Sequence, residues 1–425
     1  RLPAFAFGIA AIGALAWLLW RTGLPWAAGF AAFFLAIHPW HLRYASEARG
    51  YSLLLLCMPL LLGAMVAVLH RGTWRRWIAF AAVEVILLWV YPGGVPILVV
   101  ANAALLFEIW RRHRGALREP ATRWLVANGV AASAFMLLMG ANLLIFLWHS
   151  EWDPKGVSWR FIRDVLSHLW VGTAFSFRHA PEHYAELADV ARAAPVFFRS
   201  AVAATGALCL LGAVRLARRG RAGGMLLAMV LLPAPILIWS VELRQSMIYE
   251  RHVIFAVPSL AILLGAGLEG ISAWLRSAPA RAAVTTLVML LFLGSYAWLS
   301  HDVLSALRSL PIQQNREVAL TARPNTDPFA AENREILTAG WQGSFAYYDP
   351  HFLQVPNRER LLTLLEDADR TGRELYVNYT RPWLARGRDR ELVELMNDEE
   401  LFETVATFYG FEPRGLTHVC RYRGR

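Results

Sequence analysis

Ten stretches of the chain are almost wholly apolar and long enough, or nearly so, to cross a membrane: residues 2–20, 25–38, 52–69, 77–91, 94–110, 124–148, 196–214, 223–241, 253–275 and 282–300. A bilayer core of about 30 Å takes about 20 such residues as a helix, so the second and fourth stretches are short for the task. Between 149 and 195 the pattern changes. Trp159, Phe161, Ile162, Val165, Leu166, Leu169 and Trp170 recur every three to four residues among Arg160, Arg163, Asp164 and His168. That spacing predicts an amphipathic helix lying in the membrane interface. Beyond Pro311, short β-rich runs at 334–340 and 373–379 alternate with runs of helical period at 358–372 and 389–405, and residues 416–422 close with another strand. Strands alternating with helices predict a small, mostly parallel sheet. The predicted fold is therefore an all-α polytopic membrane domain, residues 1–301, followed by a small α/β domain, residues 302–425.

Charge follows the same division. Over all 425 residues the formal net charge is +10. Residues 1–301 hold 26 basic and 13 acidic side chains, whereas residues 302–425 hold 16 and 19. The basic excess thus belongs to the apolar part, and its placement explains it. Alternate loops carry Arg21; Arg71, Arg75 and Arg76; Arg111, Arg112, Arg114, Arg118 and Arg123; Arg215, Arg218, Arg219 and Arg221; and Arg276 and Arg281, with Glu119 as their one acid. Arginine-rich short loops stay cytoplasmic. The expected topology places the other loops, and the α/β domain, on the extracytoplasmic face of a bacterial inner membrane, and no nucleic-acid partner is needed to account for the charge. Cys57, Cys209 and Cys420 lie far apart and form no CxxC or disulfide framework.

The most informative outer segment is "HPWHLRYASEARGY" (38–51), which packs His38, His41, Arg43, Tyr44, Ser46, Glu47, Arg49 and Tyr51 between two apolar stretches. Ionisable groups at a membrane boundary are either solvated or functional. In a helical turn Glu47 and Tyr51, four apart, share a face. A carboxylate there can ligate a divalent cation or orient a hydroxyl, and a guanidinium can clamp a phosphate. Weaker candidates are Glu84 in mid-span, the reversal "YPGGVP" (91–96), His179 and His183 with Glu182 between them, and the aromatic "WQGSFAYYDP" (341–350).

"HPWHLRYASEARGYSLLLL" resembles the SPFxIxYSQEARxYxLLxL segment of bacterial dolichyl-phosphate-mannose-protein mannosyltransferase-like proteins, glycosyltransferase family 39 of the membrane-embedded GT-C superfamily. "RLPAFAFGIAAIGALAWLLWR" is similar to the RLPSALxG opening of that family's second transmembrane helix. "YERHVIFAVPSLAILLGAGL" (249–268) is similar to its later pRYLLPxLPxLxLLLAxGL helix. The resemblance implies transfer of a sugar from a polyprenyl-phosphate donor to a protein, lipid or glycan acceptor on the outer face, in contact with the bilayer. It implies a general base, an Asp or Asp-Glu, in a first outer loop upstream of Arg1, so that the chain from Arg1 lacks its first helix and that carboxylate. Carried over by position, Glu47 supports catalysis and is a candidate ligand for a divalent metal ion. Arg49, Tyr51 and Arg251 bind the donor phosphate. His252 stands where the family has an aromatic residue. No organic cofactor is expected. Two other classes fit the composition: a lipid or glycan transporter, which should carry several mid-membrane polar groups, and a non-catalytic assembly subunit.

Overall fold

The computed structural model describes residues 2–47, 50–112, 117–149, 157–177, 186–243, 249–309, 314–323, 325, 327, 330–341, 343–380, 389–410 and 416–424. The chain forms two compact units, which meet in sequence between His301 and Asp302.

The first unit is helical. Its elements are α1 (Leu2–Arg21), α2 (Pro25–Ile37), α3 (Pro39–Ser46), α4 (Tyr51–His70), α5 (Trp74–Val90), α6 (Val95–Arg112), α7 (Arg118–His149), α8 (Trp159–Val171), α9 (Leu187–Ala193), α10 (Pro195–Ala217), α11 (Gly220–Leu231), α12 (Pro233–Leu243), α13 (Ala256–Trp274) and α14 (Ala278–Leu299). Eight helical segments among the described residues are long and apolar enough to cross a membrane, with α11 and α12 counted as one span broken at Pro233. The proline ring removes a backbone donor and crowds the preceding turn. As their short runs foretold, α2 and α5 fall below full span length, at 13 and 17 residues. The protein is a multi-pass membrane protein. Its centre is α13, which packs closely on α10: a side chain at Gly212 would strike the Leu263 carbonyl, and one at Gly267 that of Leu208. Only glycine permits that approach of two backbones.

Hydrogen bonds between loops confirm the alternation read from the arginines. At one end the Arg219 guanidinium donates to the carbonyls of Thr22 and Gly23. Arg112 and Arg123 donate to those of Leu69 and Gly72. Glu269 at the end of α13 accepts from the N–H groups of Trp26 and Ala27 at 3.0 and 3.3 Å, satisfying the orphan donors that open α2. At the other end α3 and α8 meet, Tyr91 donates to the His252 carbonyl at 3.0 Å, and the Phe34 and His38 rings pack against Tyr296 of α14. Every arginine-rich loop named here thus lies opposite the segment 38–51.

The second unit is α/β. Helices α16 (Asn315–Thr321), α17 (Arg358–Thr371) and α18 (Arg390–Met396) accompany strands β1 (Ile336–Gly340), β2 (Leu353–Gln354), β3 (Glu374–Thr380), β4 (Phe402–Phe408) and β5 (Thr417–Tyr422); α15 (His301–Ser309) leads in from the membrane unit. The strand order is β2-β1-β3-β5-β4. Pairing is parallel for β1 with β2 and β3, but antiparallel for β5 with β3 and β4, so the sheet is mixed and not mostly parallel. The helical run expected over 389–405 also divides. Its helix stops at Met396, and after the Asp398–Glu400 turn Phe402–Phe408 pairs antiparallel with β5 as a strand, with a register shift between Thr404 and Ala406. Leu361, Leu364, Leu365 and Ala368 of α17 and Leu392, Val393 and Met396 of α18 pack with Leu375 and Val377 of β3 as the core.

Candidate functional site

The segment 38–47 is a buried helix, not a solvated loop. Pro39 occupies the first turn of α3, where its missing N–H costs nothing, and His38 is the N-cap. His38 Nδ1 accepts from the Trp40 N–H at 3.2 Å, and Nε2 donates at 2.9 Å to the Leu169 carbonyl in the last turn of α8. One imidazole therefore caps the start of α3 and satisfies an orphan carbonyl at the end of α8. It is fully buried, and that burial, together with the nearby His41 and His168, holds its pKa down at about 3, so the ring is neutral.

Two further contacts fix α3 in place. Gly172 ends α8 in the left-handed conformation (φ 81°), and a Cβ there would lie 2.6 Å from Pro39. On the opposite side His41 Nε2 donates to the Gly8 carbonyl of α1 at 3.0 Å, and burial lowers the His41 pKa as well. The Trp40 ring lies 4.8 Å from the His168 ring, whose Nδ1 bonds the Asp164 carbonyl at 2.7 Å. Helix α3 is thus clamped between α1 and α8.

On this helix Arg43 Nε donates to Glu47 Oε1 at 2.9 Å, with side-chain exposures of 9% and 5%. Arg43 was named in the segment but given no role from the sequence, although its i, i+4 spacing to Glu47 is the signal that pairs them. The shared helical face expected for Glu47 and Tyr51 does not form. Glu47 ends α3 in extended conformation, and Tyr51 opens α4 beyond a break. Tyr51 reaches the cluster through its ring, 4.7 Å from that of Tyr44. Gly50 permits the turn to press against α5, since a Cβ there would meet Val90 at 2.9 Å. Arg49 lies outside the described residues, as do His179, Glu182 and His183.

From Tyr51 the cluster continues to Tyr91, whose hydroxyl is pushed up in pKa by burial and by Tyr51, and then to the turn Glu250–Val253. There the Arg251 guanidinium stacks 4.4 Å over the Tyr249 ring, a cation–π contact that holds it in place. His252 Nδ1 accepts from the Tyr249 N–H at 3.4 Å, and its ring meets that of Tyr249 edge-on. Burial, then Arg251, lowers the His252 pKa to about 4, as an accepting neutral ring requires. Asp164 of α8, another residue given no role from the sequence, is buried near Arg160 and Arg163 at 3.7 and 3.8 Å. Burial raises its pKa against the pull of Arg163 and Arg160.

Among the described residues no three His, Cys, Asp or Glu side chains converge as a metal site. Glu47 Oε1 is taken up by Arg43. Glu84 has a structural explanation. Its Oε1 accepts from Asn102 at 2.7 Å, and Asn102 Oδ1 accepts from Trp124 at 2.8 Å, tying α5, α6 and α7 together. Pro92–Gly94 is a tight 3₁₀ reversal. In the second unit, Phe345 of the aromatic run is core.

No known family's sequence profile matches the chain, and no curated protein sequence does. Among solved structures it is similar to apo ArnT from Cupriavidus metallidurans, with a TM-score of 0.54 at 15% identity over 99% of this chain and 83% of that one. It is also similar to ArnT from the same organism bound to undecaprenyl phosphate, with a TM-score of 0.47 at 15% identity over 98% and 83%. The chain shares the fold of apo ArnT: a bundle of long apolar helices followed by a small sheet.

Proposed function

We propose that the protein is a membrane glycosyltransferase that moves a sugar from a polyprenyl-phosphate donor to an acceptor on the extracytoplasmic face. The observation that carries this reading is the fold likeness along nearly the whole chain, within which the segments matching family motifs come together at one membrane end. Mannosyl transfer, the finer reading, rests on those motifs alone. The positive-inside rule supports an outer location for this end and for the C-terminal unit, because the arginine-rich loops lie opposite.

In this reading the acceptor hydroxyl attacks the anomeric carbon and gives its proton to a general base. The bond to the carrier phosphate breaks, and the lipid phosphate leaves with the electron pair. Negative charge grows on that phosphate at headgroup depth, where Arg251 and Arg49 stabilise it more in the transition state than in the ground state. Tyr51, packed on Tyr44, lies at the same membrane end, and in this reading Glu47, bonded to Arg43, orients the donor. Against transport, the ionisable residues of the outer segments gather at one membrane end, and the mid-span Glu84 is tied to α6 through Oε1 and Asn102.

The test uses the full-length protein with a labelled polyprenyl-phosphate sugar. Glu47→Gln and Arg49→Ala should each lower transfer by about a hundredfold or more, the usual loss of an electrostatic stabiliser; melting should be unchanged in Arg49→Ala and lowered in Glu47→Gln, which takes the counter-charge from buried Arg43. Wild-type turnover in both would defeat the assignment.

A further inference from the structure

The arginine-rich end of the membrane unit holds a groove that the transfer reaction does not use. It runs between α6 and the α11–α12 span, encloses about 790 Å³, and has Val99, Phe107, Met225 and Ile236 along its length with Glu108, Arg111 and Arg221 at its mouth. From Val99 to Arg111 is twelve residues of helix, about 18 Å at 1.5 Å per residue. That is close to one leaflet, half of a core about 30 Å thick.

The mouth has an unusual chemistry. The Glu108 carboxylate is buried, yet Arg111 and Arg221 approach it only to 3.6 and 3.9 Å, beyond hydrogen-bond length, and its Oε2 accepts no hydrogen bond from a described residue. A buried carboxylate oxygen without a donor is costly. Both guanidiniums are about half-exposed at the groove. The three side chains sum to one positive charge. Gly220 and Gly224 keep the mouth open, with empty space where either would carry a Cβ.

We propose that this groove binds an anionic phospholipid with a hydroxyl-bearing headgroup, of the phosphatidylglycerol kind. One acyl chain lies along α6, the phosphate diester meets Arg111 and Arg221, and a headgroup hydroxyl donates to Glu108 Oε2. A choline headgroup offers no N–H or O–H donor to Glu108, and a zwitterion leaves the net charge uncompensated. None of these residues belongs to the transfer site, so either reading can fail without the other.

The experiment equilibrates the full chain in nanodiscs of equal parts phosphatidylglycerol, phosphatidylethanolamine and phosphatidylcholine and counts co-purified lipids by native mass spectrometry. Phosphatidylglycerol should be enriched about fivefold over phosphatidylcholine, the weight of one net charge at a membrane surface. The double variant Arg111→Gln, Arg221→Gln should abolish that preference. Gly224→Leu, whose side chain enters open space, should reduce retained lipid of all three kinds while melting stays within a few degrees of wild type. Equal retention of the three lipids, a preference that survives the double variant, or wild-type retention in Gly224→Leu would overturn the proposal.

Discussion

Two buried arginine–carboxylate pairs, one in each unit, show how differently the same chemistry can be used. In the C-terminal unit the Arg323 guanidinium donates to both oxygens of Asp349, at 2.6 to 3.0 Å, and to Thr338 Oγ1 and the carbonyls of Asn333 and Ile336. Asp349 Oδ2 also accepts from Thr338 at 2.5 Å, and both charged side chains are 1% exposed. Arg43 and Glu47 at the membrane end are a local i, i+4 pair, set among neutral histidines and stacked tyrosines. The first pair gathers segments remote in sequence and is walled in by partners. The second is built into one short helix that other helices hold in place. Saturation by protein partners marks Arg323 and Asp349 as a structural pair.

The largest expected effect breaks the saturated pair. Arg323→Ala leaves Asp349 charged and buried, which typically costs about 3–5 kcal/mol, comparable to the whole stability of a small domain. The C-terminal unit should become protease-sensitive while the membrane helices stay folded, as read by limited proteolysis and circular dichroism. A paired change to apolar residues of similar volume should restore protease resistance, since such replacements are often neutral or better. If Arg323→Ala alone is as resistant as wild type, the pair is not structural.

The same contrast explains what the sequence could show. The 38–51 segment stood out because its polar residues are contiguous and interrupt an apolar pattern, although its helix, opened by Pro39, was not read. Arg323 and Asp349, 26 residues apart, carry no local signal. Glu108 and Glu269 were passed over for a related reason: each is a lone acid near the end of an apolar run, and only folding brings Arg221 to one and the start of α2 to the other. Spans were readable from length and hydropathy. Strand direction was not, because β5 enters the sheet antiparallel between β3 and β4, a choice made by non-local pairing. At Glu47 and Tyr51 a helical spacing was assumed across what is a helix break.

A smaller effect probes how the membrane end keeps its imidazoles neutral. The His38 pKa is about 3 folded, against an ordinary value of 6.5. Its stabilising contribution is therefore complete above pH 6.5 and is lost as pH falls from 6.5 toward 3, because the unfolded chain takes up a proton that the folded one refuses. Melting of the membrane unit should drop on acidification through that window. Asn at position 38 still caps the Trp40 N–H but cannot titrate or reach Leu169 in the same way. His38→Asn should cost about 1 kcal/mol at pH 7.5 and flatten the acid slope in part, with His41 and His252 supplying the remainder. An acid slope identical to wild type would show that His38 does not titrate with unfolding.

The smallest expected effect separates two neighbours. Arg251 and His252 adjoin in sequence, but their surroundings differ: the guanidinium lies 4.4 Å over the Tyr249 ring, whereas His252 makes a 3.4 Å bond to the Tyr249 backbone and an edge-on ring contact. A long, weak hydrogen bond contributes less than the usual ~1 kcal/mol, and a phenyl ring keeps the aromatic contact. His252→Phe, which restores the family's aromatic, should therefore shift stability by less than about 1 kcal/mol and change transfer no more than a few-fold. Arg251→Ala should lower transfer by about a hundredfold. Equal losses from the two substitutions, measured with the same labelled donor, would mean that the turn acts as one structural unit and that Arg251 has no separate hold on the phosphate.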